Sequence, residues 1–363
     1  MISAALLDMV RCPDCAGRLG RESASVQCVQ CGRTFATASG YLDLRPLAAY
    51  AEQTKYLEEA LHADARHEAI APPLLGSRVR VQMLRRFLAP APGDRIIDLG
   101  CGNGRAIAWN ADSGASIVGI DISPYFAREA IERSDLVLGD LRKLPIEDGV
   151  FSKAWSLDVM EHLSPQALAD VLAEANRVLA EGGCLFIYTH VRKNGWIAGG
   201  VRAVNGFARL CERAGLIDLR QERLRKSDHL NPIADHADLQ VILARAGFEL
   251  ERVTYYTPII GAFVENVLAR MTERVMARRE ARRSPSAGAD ERAAVRAART
   301  SAQARVARGG FTFKALRALS QVMMLDVALF GHLQSGPFFA LLRKTAAPVA
   351  AGTPRAAGAA PGA

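Results

Sequence analysis

Three short apolar runs, each closing on a carboxylate, set the pattern of the chain's first half. Arg95 to Leu99 predicts a buried strand that carries Asp98 at its end and runs straight into glycines at 100, 102 and 104. Ser116 to Ile120 predicts a second strand ending at Asp121, and Leu136 to Gly139 a third ending at Asp140. Later the pattern turns helical. Residues 257–283 place Ile260, Phe263, Val264, Val267, Leu268, Met271 and Val275 on one helical face, with Arg270, Arg274 and Arg278 elsewhere. Phe313 to Leu329 is again apolar at helical spacing. Between these stretches the chain turns to Ala, Arg, Ser and Gly, with Pro285 and Gly288 marking a loop, and residues 346–363 are mostly Ala, Gly and Pro, a composition that predicts disorder.

Acidic residues at three successive strand ends predict a crevice of the kind in which open parallel sheets bind ligands. The glycines between them let the backbone turn sharply and let a ligand lie on main-chain N–H groups at a helix start. The spacing is D-x-G-x-G-x-G, neither the dinucleotide fingerprint G-x-G-x-x-G nor a phosphate loop ending in Gly-Lys-Ser/Thr. A carboxylate two residues before the first glycine repels a pyrophosphate and suits a ligand with an ammonium or sulfonium charge. Asp121, roughly 20 residues beyond the loop, is placed to accept from ribose hydroxyls. Asp140 is placed to accept from an adenine amine.

With these motifs in this order, the chain resembles the class I S-adenosylmethionine-dependent methyltransferases over about residues 85–256 and a last strand near 337–343. The resemblance implies an α/β fold: a doubly wound, Rossmann-like sheet with an N-terminal zinc ribbon and a helical insertion before the last strand. It further implies that Asp98, Gly100, Gly102 and Gly104 hold the methionine part of S-adenosyl-L-methionine, Asp121 with Ile122 the ribose, and Asp140 with Leu141 the adenine, with Asp158 also at the cofactor. Ala154 to Asp158 resembles the family's fourth strand, Val178 to Gly183 the helix end and turn before the fifth, and Cys184 to Thr189 that strand. Leu239 to Gly247 then reads as an amphipathic helix, Phe248 to Tyr256 as the sixth strand and Ser335 to Lys344 as the last.

A second motif stands at the N-terminus: Cys12-Pro-Asp-Cys15, twelve residues, then Cys28-Val-Gln-Cys31. Two C-x-x-C knuckles bring four thiolates to the corners of a tetrahedron, and so short a segment needs such a clamp to fold. Zinc is the expected ion; two disulfides or a redox pair are the competing readings, disfavoured by a cytosolic setting and by the lack of a surrounding βαβ unit. With Cys at every corner no position is open to a catalytic water, so the zinc is expected to be structural. Residues 1–45 resemble the small zinc ribbons that precede some bacterial methyltransferase domains, with Gly40 to Leu44 as an exit strand. Some ribosomal RNA guanine methyltransferases share this order, but their ribbon usually ends in a Cys and His pair.

The implied layout is a zinc ribbon at 1–45, a helical linker at 46–84, the methyltransferase domain at 85–256, a helical basic insertion at 257–330, the last strand at 331–345 and a tail at 346–363. A chain of 363 residues with 50% hydrophobic content has room for that core. No run approaches the ~18 to 20 apolar residues of a membrane span, and the start lacks a signal-peptide pattern, so the cytoplasm is the expected location. The net charge of +8 is unevenly placed: 16 Lys and Arg against 6 Asp and Glu follow residue 256. The amphipathic helix there either packs on the domain or lies on an anionic membrane surface.

Substrates in this fold class approach over the ends of the fourth and fifth strands, which points to residues 158–163 and to a second insertion opened by Tyr188-Thr189-His190. His162 and His190 are the candidate bases for a hydroxyl acceptor. Asp158-Val-Met-Glu161-His162 also resembles the E-x-x-E-H segment that binds a divalent metal in some quinone and small-RNA methyltransferases. Ser227 to Pro232 reads as a capping turn before a helix, with contact to a pocket lid as the alternative. The leading acceptor is a small or lipid-like molecule, which the apolar insertions would wall in. RNA is the alternative, suggested by the ribbon and the arginines, although residues 270–310 carry no aromatic side chain to stack on bases.

Overall fold

The computed structural model describes residues 2–22, 25–46, 70–192, 198–217, 219, 229–256, 258–268, 271 and 310–345. After helix α1 (Ala4–Met9), strands β1 (Leu19–Arg21), β2 (Ser25–Cys28) and β3 (Thr34–Ala36) form an antiparallel sheet, and β4 (Leu42–Asp43) leaves it. Helix α2 (Gly76–Leu88) leads into β5 (Arg95–Leu99), α3 (Arg105–Asn110), β6 (Ser116–Asp121), α4 (Arg128–Arg133), β7 (Asp135–Leu138) and β8 (Phe151–Leu157). Then come α5 (Pro165–Val178), β9 (Leu179–His190), α6 (Ala198–Arg213), α7 (His236–Arg245), β10 (Phe248–Tyr255), α8 (Pro258–Phe263), α9 (Phe311–Phe330) and β11 (Pro337–Lys344).

The large sheet runs β10-β11-β9-β8-β5-β6-β7-β4, parallel except for β11, which is antiparallel to both neighbours. From β5 the chain steps outward through β6 and β7, then crosses back to β8 and β9. The reversal between β5 and β8 opens a crevice at their C-terminal ends. Strand side chains alternate between two cores, because successive residues of a strand face opposite ways. Ile97, Leu99, Leu185, Ile187 and Phe338 belong to one, and Ile96, Phe186, Tyr188, Phe339 and Leu341 to the other. Being covered on both faces, the strands read as apolar runs rather than as alternation.

The N-terminal segment is fused to this sheet. Leu6, Val10, Val26, Phe35 and Leu42 lie in the same core as Ile97 and Val118. Ser3 caps α1 through Leu6 N–H and also donates its hydroxyl to Asp135 at 2.6 Å. Arg11 N–H donates to Pro145 and Glu147 N–H to Met9. The loop it grips is fixed from behind by Arg177, which donates to the Leu144 and Ile146 carbonyls and to Glu174 and Asp148. The exit strand expected at residues 40–44 is β4, and it pairs in parallel with β7 as the eighth strand of the main sheet.

Two expected boundaries move. Helix α2 spans the expected linker edge at 84, and its Val79, Met83 and Leu84 are buried against the sheet, so the linker's end belongs to the domain. Strand β9 starts at Leu179, taking in the expected turn. Of the linker, residues 47–69 lie outside the described residues, as do the Arg-rich stretch 272–309 and the tail from 346. The described ends of the insertion, α8 and α9, are helical and pack on each other, and no described helix is long and apolar enough to cross a membrane.

Since the N-terminal segment and the sheet share one core, Leu6→Ala should lower the stability of the sheet itself by about 2 to 5 kcal/mol. The chain's tryptophans are Trp109, Trp155 and Trp196, none before residue 46. Urea unfolding followed by tryptophan fluorescence should therefore show the lowered midpoint; a tryptophan transition that stays put would mean that the N-terminal segment unfolds separately.

Candidate functional site

The crevice is built at the end of β5. Asp98 is buried, with its Oδ2 lacking any hydrogen-bond partner among the described residues. Burial pushes its carboxyl up to about 7, against the lowering influence of the Trp155 indole and with a further push from Asp121. A buried carboxylate so placed is a receptor for positive charge.

The next residues turn left-handed: φ is +80° at Gly100, +55° at Gly102 and +83° at Gly104. The reasons for glycine differ. A Cβ on Gly100 would stand 2.4 Å from Val159, and one on Gly104 2.6 Å from Ala130, so both are glycine for packing. A Cβ on Gly102 would meet nothing within 4 Å, so there the missing side chain leaves open space beside the loop. Asp121 holds the loop's shape by accepting from Gly102 N–H at 2.8 Å, while its other oxygen takes the Ser123 N–H and hydroxyl. Ile122 follows it, half-buried. Asp140, two residues beyond β7, accepts from Arg142 main chain and side chain and stands beside half-buried Leu141. The orphaned Asp98 oxygen and the open face at Gly102 fit a cationic ligand lying on the loop. Asp98, Gly100, Gly102 and Gly104 stand on β5 and the loop after it, Asp121 and Ile122 at the end of β6 and just beyond it, and Asp140 with Leu141 in the turn after β7.

Beyond β8, Asp158 adopts φ +57° and stays exposed, 3.6 Å from Arg80 of α2. Arg80 also lies over the Tyr188 ring at 4.9 Å. A short 3-10 turn, Met160–His162, follows. Glu161 is buried and accepts from the Thr189 hydroxyl at 3.0 Å, and its other oxygen lies 3.5 Å from His190 Nδ1. Burial works against the Glu161 carboxylate, but His190 outweighs it and holds the pKa below the usual range. The His162 and His229 rings meet edge to face at 4.5 Å, and His190 and His229 stand 6.0 Å apart.

Both candidate bases therefore converge, around a carboxylate named only as part of a metal motif and a histidine read as part of a capping turn. That turn does not cap α7: Asp235 does, accepting from Asp238 N–H. The Asn231 N–H instead donates to the Glu161 carbonyl, at 2.9 Å, which draws His229 to the site. Of the expected metal motif, Glu161 and His162 lie together, while Asp158 pairs with Arg80. Arg80 itself carried no signal, being one of several arginines on an amphipathic helix.

At the N-terminal knuckles, the Sγ atoms of Cys12 and Cys31 are 3.7 Å apart and those of Cys15 and Cys28 3.5 Å, with all four within 4.8 Å of one another. A tetrahedral zinc with bonds of about 2.3 Å sets its sulfurs about 3.8 Å apart. All seven cysteines are free thiols. Burial disfavours the Cys28 thiolate, but the main-chain N–H groups of Cys31 and Gln30 outweigh it and bring its pKa down to about 6.

Residues 97–187 match the family described as "Methyltransferase domain". An uncharacterized methyltransferase of Synechocystis sp. is 31% identical over 113 residues, covering 30% of this chain and 53% of that protein. The 24-methylenesterol C-methyltransferase 2 of Oryza sativa subsp. japonica is 32% identical over 181 residues, 46% of this chain and 47% of its own length. The chain thus spans about half the length of these curated relatives. A phosphoethanolamine N-methyltransferase 2 of Haemonchus contortus, solved with S-adenosyl-L-methionine, aligns at 17% identity and a TM-score of 0.44 over 80% of this chain and 56% of that one.

The glycines make a testable contrast. Gly100→Ala combines a left-handed φ with a clash and should cost about 2 to 5 kcal/mol, whereas Gly102→Ala has only the strained φ and should cost about 1 to 2. Urea midpoints of the two variants check the order; equal losses would contradict the distinction.

Proposed function

We propose that this chain is an S-adenosylmethionine-dependent methyltransferase whose acceptor is a small-molecule or lipid-like compound. The observation that carries the reading is the buried Asp98 carboxylate, one oxygen of which has no hydrogen-bond partner among the described residues, just before a left-handed glycine loop, within the residues that match a methyltransferase domain. When bound, the cofactor supplies an electrophilic methyl group on a positively charged sulfur. Asp98 faces the positive charge of its methionine part, Gly102 lets that part approach the main chain, Asp121 with Ile122 takes the ribose, and Asp140 with Leu141 takes the adenine. Asp158 closes the cofactor side of the acceptor pocket.

This chain's own residues also manage a proton. His190 Nδ1 lies 3.5 Å from the buried Glu161 carboxylate, and its other ring nitrogen takes the proton of an acceptor hydroxyl. A base so placed contributes a factor of about 10² to 10⁴. His162 lies across the same space. For the acceptor class, the support is the sterol named for the rice relative and the exposed apolar residues Phe207, Leu210, Phe263 and Leu268 on α6 and the helical segment 258–268. These residues also suit contact with a lipid surface. The RNA alternative rests on the ribbon, whose inner face packs against the sheet, and on Arg278 to Arg283, outside the described residues.

In the same reading Cys12, Cys15, Cys28 and Cys31 hold a structural zinc as thiolates, a choice of ligand that suits a reducing cytoplasm. Elemental analysis should find about one zinc per chain, and Cys12→Ser with Cys31→Ser should lower the melting temperature of the whole chain by about 4 to 8 °C. Stoichiometric disulfides without zinc would overturn this assignment.

Cofactor affinity tests the reading directly. Asp98 binds a proton below a pH of about 7, so calorimetric affinity for S-adenosyl-L-methionine should fall by about tenfold per pH unit below that point. Asp98→Asn should weaken binding by about 1.5 to 3 kcal/mol and remove that acid limb. Unchanged affinity in the variant and a flat acid profile in the wild type would sink the proposal.

A further inference from the structure

Helix α9 is apolar on two sides. Its inner side is fixed to the domain: Met323 and Val327 are buried, Asp326 accepts from the Ile260 and Gly261 N–H groups, and the Ser320 hydroxyl takes the Leu75 N–H at 2.8 Å. Its C-terminal end is pinned as well, because Gly331 donates to the Val327 carbonyl and accepts from the Tyr255 N–H. The outer side carries Ala315, Ala318, Val322, Leu325 and Leu329, all exposed. Leu325 is 59% and Leu329 62% exposed. A surface helix needs one apolar face to pack, and this one presents a second.

The outer residues recur at steps of three, four, three and four, so they form one continuous stripe. That is the spacing of a two-helix seam, in which each side chain enters a gap between residues of a facing helix. The stripe is graded in size. Its N-terminal half holds the two alanines and its C-terminal half the two leucines. A parallel copy would set leucine on leucine and alanine on alanine; an antiparallel copy sets small against large and fills the seam evenly.

We propose that this stripe joins two copies of the chain, with the two α9 helices antiparallel about a two-fold axis near Val322. The charges agree with that direction. Lys314 and Arg317 stand in the first two turns, and the last turn carries no basic residue. Antiparallel pairing brings each pair of cations to the carbonyl end of the other helix, where the helix dipole is negative. A helix that lies on a bilayer carries cations along its whole polar face. Here the cations are confined to one end, which fits a second copy rather than a lipid surface. The seam covers about 1,000 Å² in total, the low end for a specific interface, so the dimer is reversible with a Kd of about 1 to 100 µM. The contact does not depend on the methyltransferase reading.

Sedimentation velocity of the full-length protein from about 1 to 200 µM should show monomer and dimer in exchange. Leu325→Lys and Leu329→Lys, both at exposed positions, should each raise the dissociation constant at least about tenfold, with a melting temperature near that of the unsubstituted protein as the check on folding. Phe207→Lys on α6 should leave the dimer intact. Under mild oxidation Val322→Cys should give a cross-linked dimer that the unsubstituted protein does not, and Ala315→Cys should not cross-link to itself. A monomer over the whole range, a dimer indifferent to both leucine substitutions, or self-cross-linking of Ala315→Cys in place of Val322→Cys would overturn the proposal. So would a monomer that sediments with phosphatidylserine vesicles until Leu325→Lys is introduced, which would give the stripe to a lipid surface.

Discussion

A buried carboxylate with one oxygen lacking a hydrogen-bond partner among the described residues is the constraint on which the crevice depends. Raising Asp98 from 3.8 to about 7 means that its charged form is disfavoured in the folded chain by about 4 kcal/mol. The folded state holds the proton over that range and the unfolded state does not, so this group's contribution to stability falls as pH rises from about 4 to 7. A cationic ligand offsets that cost. The glycine loop follows directly on β5, the strand that carries Asp98, and Asp121 anchors it through the Gly102 N–H.

The elements legible in the sequence were those whose chemistry is local. Asp98, Asp121 and Asp140 each close an apolar run in the sequence; Asp98 and Asp121 lie in the last residues of β5 and β6, and Asp140 in the turn after β7. The cysteine knuckles were legible because the spacing of Cys12, Cys15, Cys28 and Cys31 already implies convergence, and their sulfurs do converge. What could not be read was assembled over distance. Glu161 and His229 meet because a backbone N–H at Asn231 finds the carbonyl of Glu161, and no periodicity records that bond. Arg80 reaches Asp158 only because α2 packs across the sheet.

The amphipathic pattern after residue 256 shows a different limit. Reading it as a regular helix puts Phe263, Val264, Val267 and Leu268 on one face. In the structure Val264 and Val267 are buried, in two different clusters, while Phe263 and Leu268 are exposed. The cause is a π turn over Val264–Leu268. Its wider winding rotates the face that a uniform period assumes, so the segment joins two packing surfaces: α9 and the sheet on one side, α6 on the other.

The short pairing of β4 with β7 has a consequence for how copies of the molecule behave toward one another. An open sheet presents main-chain donors and acceptors along its outermost strand, and another chain can add to that row. Here the row on β7 is taken up by Leu42, Asp43 and the N–H of Leu44, which donates to the Leu138 carbonyl at 2.8 Å. The new outermost strand is only two residues long and offers little for a neighbour to extend. The N-terminal segment therefore acts as an edge guard, and a chain that lost its grip on β7 would bare a template for edge-to-edge aggregation.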